Sequence, residues 1–125
     1  MSGAARCPGT ACSYQLVIEV RRDLELEVGA LGRCHFPAGT YVYTGSARRH
    51  LEARIKRHLR RDKPLRWHVD YLLAAPDVRI VEVQRSQLPE CRLNARTEGE
   101  IPVPGFGASD CRKGCGSHLK RCGGR

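Results

Sequence analysis

The segment from Phe36 to Arg61, FPAGTYVYTGSARRHLEARIKRHLRR, places two tyrosines before a Gly-Ser pair and a dense run of arginine. A guanidinium group donates paired hydrogen bonds to phosphate oxygens. Like charges at helical spacing repel each other, so clustering them costs stability unless an anion offsets the repulsion. We therefore expect this segment to bind a phosphate backbone, rather than to be only a solvated helix face. The residues predicted to make these contacts are Ser46, Arg48, Arg49, Lys56, Arg57, Arg60 and Arg61.

A second group of reactive side chains occupies the last part of the sequence. It has the spacing Cys-x-x-x-Cys-x-x-His-x-x-x-Cys, formed by Cys111, Cys115, His118 and Cys122. Four soft ligands in one short run can close a tetrahedral Zn²⁺ site. The spacing is not that of a common zinc module, and buried, reduced thiols are the alternative. The sequence leaves both interpretations open.

The charge balance indicates an acidic partner. The 125 residues include 22 Lys and Arg against 13 Asp and Glu, which gives a formal net charge of +9. Nucleic acid is the commonest acidic partner, although charge alone fits a ribosomal or membrane-surface association equally well. No apolar run is long enough to span a bilayer, so we expect no membrane partner. The first residues lack the apolar stretch of a secretory signal, which predicts a cytoplasmic, reducing environment and reduced cysteines.

Apolar residues alternate with polar ones in several segments that must position these groups, and this period predicts strands. The predicted strands cover residues 14–20, 23–28, 33–36, 40–45 and 77–84. The second and third are short and lie between Gly-containing turns, so we expect them to form an inserted β-hairpin. The remaining three predict a small, three-stranded antiparallel sheet. Tyr41 and Tyr43 would share one face of this sheet.

Three helices are predicted to flank the sheet, which makes the fold class α+β. In the first, Leu51, Ile55 and Leu59 recur at helical spacing after Ser46, a candidate N-cap. The second and third helices are predicted at 65–75 and 88–99. Residues 1–12 are expected to be a flexible tail and 13–125 a single domain. Within that domain, the Gly-, Pro- and Cys-rich segment 100–125 is expected to be irregular.

The sequence resembles the GIY-YIG nuclease superfamily. The Tyr-x-Gly turn that begins at Tyr43 leads into a Leu-x-x-Arg-x-x-x-His pattern at Leu51, Arg54 and His58. The first motif is matched by CSYQLV, with Tyr14 as its tyrosine and cysteine in place of the motif's glycine. The resemblance extends from about Tyr14 to Leu119 and is to a small stand-alone branch described as a domain of unknown function.

The resemblance implies a set of catalytic roles. Glu90, followed by Leu93, matches the family's glutamate and would hold one Mg²⁺ or Mn²⁺. Arg54 would bind the phosphate. The implied catalytic residues are Tyr14, Tyr43, Arg54, His58 and Glu90.

The implied function is a metal-dependent endonuclease that hydrolyses phosphodiester bonds, with DNA favoured over RNA and a setting such as DNA repair. One alternative is a nucleic-acid-binding module that kept the fold and lost turnover, since the first motif is altered. A second alternative is a zinc-stabilised adaptor that binds a protein partner through its basic face.

Overall fold

The computed structural model of the chain describes residues 12–47, 49–60, 63–107 and 116–124. It contains six strands, namely β1 (Ser13–Val20), β2 (Leu24–Glu27), β3 (Arg33–Phe36), β4 (Gly39–Ser46), β5 (Val78–Ser86) and β6 (Leu119–Gly124). The helices are α1 (Leu51–Leu59), α2 (His68–Leu73) and α3 (Glu90–Arg96), and a 3-10 turn spans Gly29–Leu31. In the described part of the chain, no helix is both long enough and apolar enough to cross a membrane.

The fold is α+β, as predicted, and its main sheet is antiparallel. Four strands form this sheet in the order β5-β1-β4-β6, while β2 and β3 pair separately as the predicted hairpin. The expectation of a three-stranded sheet is wrong because the segment predicted to be irregular supplies β6. This strand pairs with β4, with Leu119 opposite Tyr43 and Gly124 opposite Gly39.

One face of the sheet carries the core. Alternate residues of β1, from Tyr14 to Val20, are almost fully buried, and Tyr41 and Tyr43 join them from β4. Helices α1 and α2 cover this face through residues such as Ile55, Val69 and Leu72. Burying these apolar side chains contributes about 25 cal/mol per Å² removed from water.

Helix α3 packs on the opposite face. From β1, the amide of Gln15 donates a 2.6 Å hydrogen bond to the hydroxyl of Thr97, which directly follows the helix. From β6, the ammonium of Lys120 donates to the carbonyl oxygens of Asn94 and Thr97, at 2.7 and 2.9 Å. These contacts hold the C-terminal end of α3, so its first residue, Glu90, must be positioned by other groups.

The first helix starts later than predicted. Ser46 is the last residue of β4, where it pairs with Ser13, and it is therefore not an N-cap. Helix α1 begins at Leu51 and is preceded by His50, whose left-handed φ of 57° turns the chain from strand to helix. The shift leaves the Ser46 side chain available to another part of the molecule.

Candidate functional site

Tyr14 lies in the interior, on the sheet face beneath α1, and is registered opposite Gly45. A Cβ atom on Gly45 would come within 2.5 Å of both the Cζ and the hydroxyl oxygen of Tyr14. No real Cβ atom tolerates such a contact, so the ring position requires glycine at this point of β4. The Tyr-x-Gly pattern that begins at Tyr43 therefore makes room for a tyrosine on the neighbouring strand.

His58 connects α1 to Tyr14. The hydroxyl of Tyr14 lies 2.7 Å from Nε2 of His58, and Tyr43 packs edge-on against the same imidazole at a ring distance of 6.1 Å. Because Arg54 and His58 are four residues apart on α1, they lie on one face of the helix. The helix thus presents a guanidinium and an imidazole to the two tyrosines.

Burial is the main cause of the pKa shifts in this cluster. Loss of water raises the pKa of Tyr14, while the nearby Arg54 guanidinium lowers it and the Glu90 carboxylate raises it. Burial likewise raises the pKa of Tyr43. Burial lowers the pKa of His58 to about 4, although the Asp70 carboxylate acts in the opposite direction. At neutral pH both phenols are protonated and His58 is neutral.

A chain of hydrogen bonds joins Arg54 to Glu90 through the end of β4. Nη1 of Arg54 donates to the Ser46 carbonyl oxygen at 2.7 Å, and the Ser46 hydroxyl donates to Oε1 of Glu90 at 3.0 Å. Arg54 belongs to the helix on one sheet face and Glu90 to the helix on the other. Ser46 therefore links the two faces at the same end of the sheet where Tyr14 lies.

The second oxygen of Glu90 is held by His118. Nδ1 of His118 lies 2.8 Å from Oε2 of Glu90, and His118 is only 2% exposed. This contact was not predicted. His118 lies 28 residues beyond Glu90, and its sequence signal pointed to a metal site with cysteines.

The structure brings together the five residues that the resemblance assigned to catalysis. They are Tyr14, Tyr43, Arg54, His58 and Glu90, which are joined by the contacts above or affect one another's pKa values.

The predicted phosphate-binding residues divide into several groups. Arg49, Lys56 and Arg60 are exposed on or beside α1, whereas Ser46 is occupied by Glu90. Arg48 and Arg61 lie outside the described residues.

Arg57 differs from the prediction that it contacts phosphate. Both of its terminal nitrogens donate to the carboxylate of Asp70, at 3.0 and 3.1 Å, and the Asp70 side chain is fully buried. Asp70 also accepts hydrogen bonds from the backbone N–H groups of Arg66 and Trp67. Burial raises the pKa of Asp70, but the hydrogen bonds from Arg57 and from these two N–H groups hold the pKa below its ordinary value. Arg57 therefore ties α1 to the start of α2.

The predicted zinc site falls partly outside the described residues, because Cys111 and Cys115 are not among them. Of the other two members, His118 bonds Glu90 and the exposed thiol of Cys122 donates to the Glu98 carbonyl oxygen. Within the ranges that the structure covers, no three His, Cys, Asp or Glu side chains are grouped to hold a metal.

The expectation of reduced cysteines is only partly met. Cys12 is disulfide-bonded, so the expectation is wrong at that position. Cys34 and Cys122 are free thiols, as expected.

Glu90 nevertheless fits a hard divalent cation. Its side chain is 27% exposed, and Ser46 and His118 each bind a different one of its oxygens, which leaves further lone pairs available. Mg²⁺ keeps several waters and is commonly bound through only one or two carboxylates. A single carboxylate linked to an arginine through Ser46 is compatible with that requirement.

Comparison with known proteins identifies one family. The family model described as "Domain of unknown function DUF123" matches residues 13–125. No curated protein and no solved structure matches the chain. The matched range runs from β1 through β6, so Tyr14, Arg54, Glu90 and His118 all lie within it.

Proposed function

The chain belongs to the DUF123 family, and from that premise we propose that it is a metal-dependent endonuclease. It would hydrolyse phosphodiester bonds in nucleic acid, with DNA favoured over RNA, as a stand-alone branch of the GIY-YIG superfamily. The observation that carries the proposal is the Arg54–Ser46–Glu90 link beside Tyr14. It brings a guanidinium, a carboxylate and a phenol to one end of the sheet.

Arg54 would bind the scissile phosphate. The Ser46 carbonyl occupies one guanidinium nitrogen, and the Cζ atom lies 4.9 Å from the centre of the Trp67 ring. Both contacts restrict the plane of the guanidinium while leaving donors for phosphate oxygens. A planar, pre-oriented fork of this kind is what lysine cannot provide.

Glu90 would hold the Mg²⁺ or Mn²⁺ ion. The cation, when bound, supplies positive charge against the phosphate oxygens and lowers the pKa of water. Ser46 and His118 fix the carboxylate that would receive it.

Tyr14 would move the proton of the attacking water together with His58. Ionising a tyrosine of ordinary pKa at neutral pH costs about 4 kcal/mol, and burial of Tyr14 increases that cost. A relay lowers this cost, because Tyr14 accepts the water's proton as it passes its own proton to Nε2 of His58 and is itself never ionised. Protonating His58, with a pKa of about 4, costs about 4 kcal/mol at pH 7. Nδ1 of His58 is buried without a hydrogen-bond partner, so the imidazolium would be short-lived. It would return its proton to Tyr14.

Tyr43 would shape the pocket rather than bind substrate. Its ring packs edge-on against both His58 and Phe106 and is 7% exposed. The exposed residues Arg49, Lys56 and Arg60 would contact the backbone on either side of the scissile phosphate.

Nicking of supercoiled plasmid in Mg²⁺ tests the proposal. The chain is expected to nick DNA only with the cation present, and Arg54→Ala and Glu90→Gln are each expected to abolish nicking. Matched controls come from the exposed Arg33–Glu25 pair of the hairpin: Arg33→Ala and Glu25→Gln should keep full activity. Nicking that survives both site substitutions contradicts the proposed site.

A second candidate is nucleic-acid binding without turnover. The burial of Tyr14 favours it, because the phenol is only 1% exposed and already contacts His58. Metal-independent DNA binding by a chain that cuts neither DNA nor RNA would favour this candidate over the endonuclease.

A further inference from the structure

His118 is fixed more firmly than a residue near the end of an edge strand would ordinarily be. Its backbone N–H donates to the Phe106 carbonyl oxygen at 2.8 Å, and its own carbonyl oxygen accepts from the Thr44 N–H at 2.9 Å. The side chain is 2% exposed. The backbone of His118 is therefore held by two hydrogen bonds, and burial restricts the rotation of its imidazole ring.

The contacts of the ring define its tautomer. An ionised carboxylate can only accept hydrogen bonds, so Nδ1 of His118 carries the hydrogen that bonds Oε2 of Glu90. In the neutral ring Nε2 is then an acceptor, and the Cys91 thiol, a weak donor, lies 3.9 Å from it.

We propose that His118 is a positioning residue that holds the Glu90 carboxylate in the orientation in which it takes the divalent cation. The inference rests on the proposed function. His118 would not touch substrate or cation. It would act through Glu90, as the outer hydrogen-bond partners of metal-binding carboxylates do.

The geometry explains why such a residue is needed. Glu90 is the first residue of a short helix, and the contacts from Gln15 and Lys120 secure the other end of that helix. A glutamate side chain has several rotatable bonds, so one hydrogen bond from Ser46 leaves its second oxygen free to turn. His118, the residue directly before strand β6, fixes that second oxygen. Ser46 and His118 together restrict both oxygens.

The test uses the full chain and three variants. His118→Leu removes the donor at similar volume, and His118→Asn restores a donor near the position of Nδ1. Lys120→Ala is the matched control, because it removes contacts from a residue two positions along the chain to the other end of the same helix. Calorimetry gives the Mn²⁺ dissociation constant, plasmid nicking gives activity, and ¹⁵N NMR of the metal-free chain gives the His118 tautomer.

We expect His118→Leu to weaken Mn²⁺ binding about 10- to 100-fold. His118→Asn should recover most of that loss, and Lys120→Ala should leave the affinity unchanged while lowering thermal stability. The NMR spectrum should show the hydrogen on Nδ1. Because the NMR measurement uses the wild-type chain, it still tests the inference if His118→Leu does not fold.

Three outcomes overturn the inference: a ring with no hydrogen on Nδ1, unchanged Mn²⁺ affinity in His118→Leu, or equal losses in His118→Leu and Lys120→Ala. A wild-type chain that binds Mn²⁺ with the expected variant pattern but does not cut nucleic acid contradicts the proposed function and leaves the positioning role standing. A wild-type chain that binds no Mn²⁺ contradicts both.

Discussion

The ring of Tyr14 lies directly over the backbone of Gly45, where any side chain would overlap its Cζ and hydroxyl oxygen at 2.5 Å. The same hydroxyl contacts Nε2 of His58 at 2.7 Å, so the ring cannot swing away without losing this bond. The glycine on β4 and the histidine on α1 together define where the phenol sits.

Gly45→Ala is therefore expected to destabilise the fold by about 1–3 kcal/mol through overpacking and to displace the phenol. Urea denaturation measures the stability, and plasmid nicking measures the effect on the site. In a Tyr14→Ala background the added methyl has space, so the same substitution should cost almost nothing there. Equal costs in the two backgrounds would show that the overlap is not the cause.

Stability should fall as the pH drops from about 6.5 to 4. Burial lowers the pKa of His58 to about 4, so in this range the unfolded chain binds a proton that the folded chain does not. The contribution is fully present above pH 6.5 and is lost toward pH 4, by about 3 kcal/mol in total. Burial also lowers the pKa of His68, which adds a slope of the same sign.

Urea denaturation at several pH values checks this dependence. His58→Leu should remove most of the slope between pH 6.5 and 4, even though it lowers stability at every pH. His35→Ala, on the exposed side of the hairpin, is the control and should retain the wild-type slope. An unchanged slope in His58→Leu would contradict the assignment.

Two ion pairs of similar geometry should differ greatly in their contribution to folding. In both, an arginine donates two hydrogen bonds to one carboxylate: Arg57 to the buried Asp70, and Arg85 to the exposed Glu52. Asp70→Asn should cost about 3–5 kcal/mol, because it leaves the Arg57 charge uncompensated at a mostly buried position. Glu52→Gln should cost far less, because water screens this exposed pair. Equal losses in thermal unfolding would refute the distinction.

The basic face of α1 should make DNA binding dependent on salt. Arg49→Ala, Lys56→Ala and Arg60→Ala should each reduce the slope of log affinity against log salt concentration by about 1. Fluorescence anisotropy with a labelled duplex measures this slope. Arg33→Ala, on the hairpin, serves as the control. A variant that lowers affinity without changing the slope does not lose a phosphate contact.

The spacing of apolar residues predicted those strands and helices whose own sequence carries a clear period. Strands β1 and β4 show clear alternation, and the apolar stripe of α1 is visible at Leu51, Ile55 and Leu59. Strand β6 was missed because Leu119–Gly124 has no such alternation and is ordered by pairing with a distant strand. The start of α1 was misplaced because Ser46 has the chemistry of an N-cap but is held in β4 by Ser13.

The sequence predicted residues that the structure brings together, but it did not predict the contacts that hold them. The resemblance supplied Tyr14, Arg54 and Glu90, and the structure brings them together. The contact between Glu90 and His118 has no local signal, since it depends on α3 packing on the sheet and on β6 pairing with β4. The sequence did not distinguish Arg57 from the other arginines on or beside α1, because its partner Asp70 lies 13 residues further along the chain.

The late position of β6 in the chain has a consequence for biosynthesis. A nascent polypeptide that ends after α3 already contains the phenol, the guanidinium and the carboxylate, yet it lacks both β6 and the histidine that holds the carboxylate. Under the proposed function, such a chain would bind its cation weakly until β6 had been translated and had paired with β4.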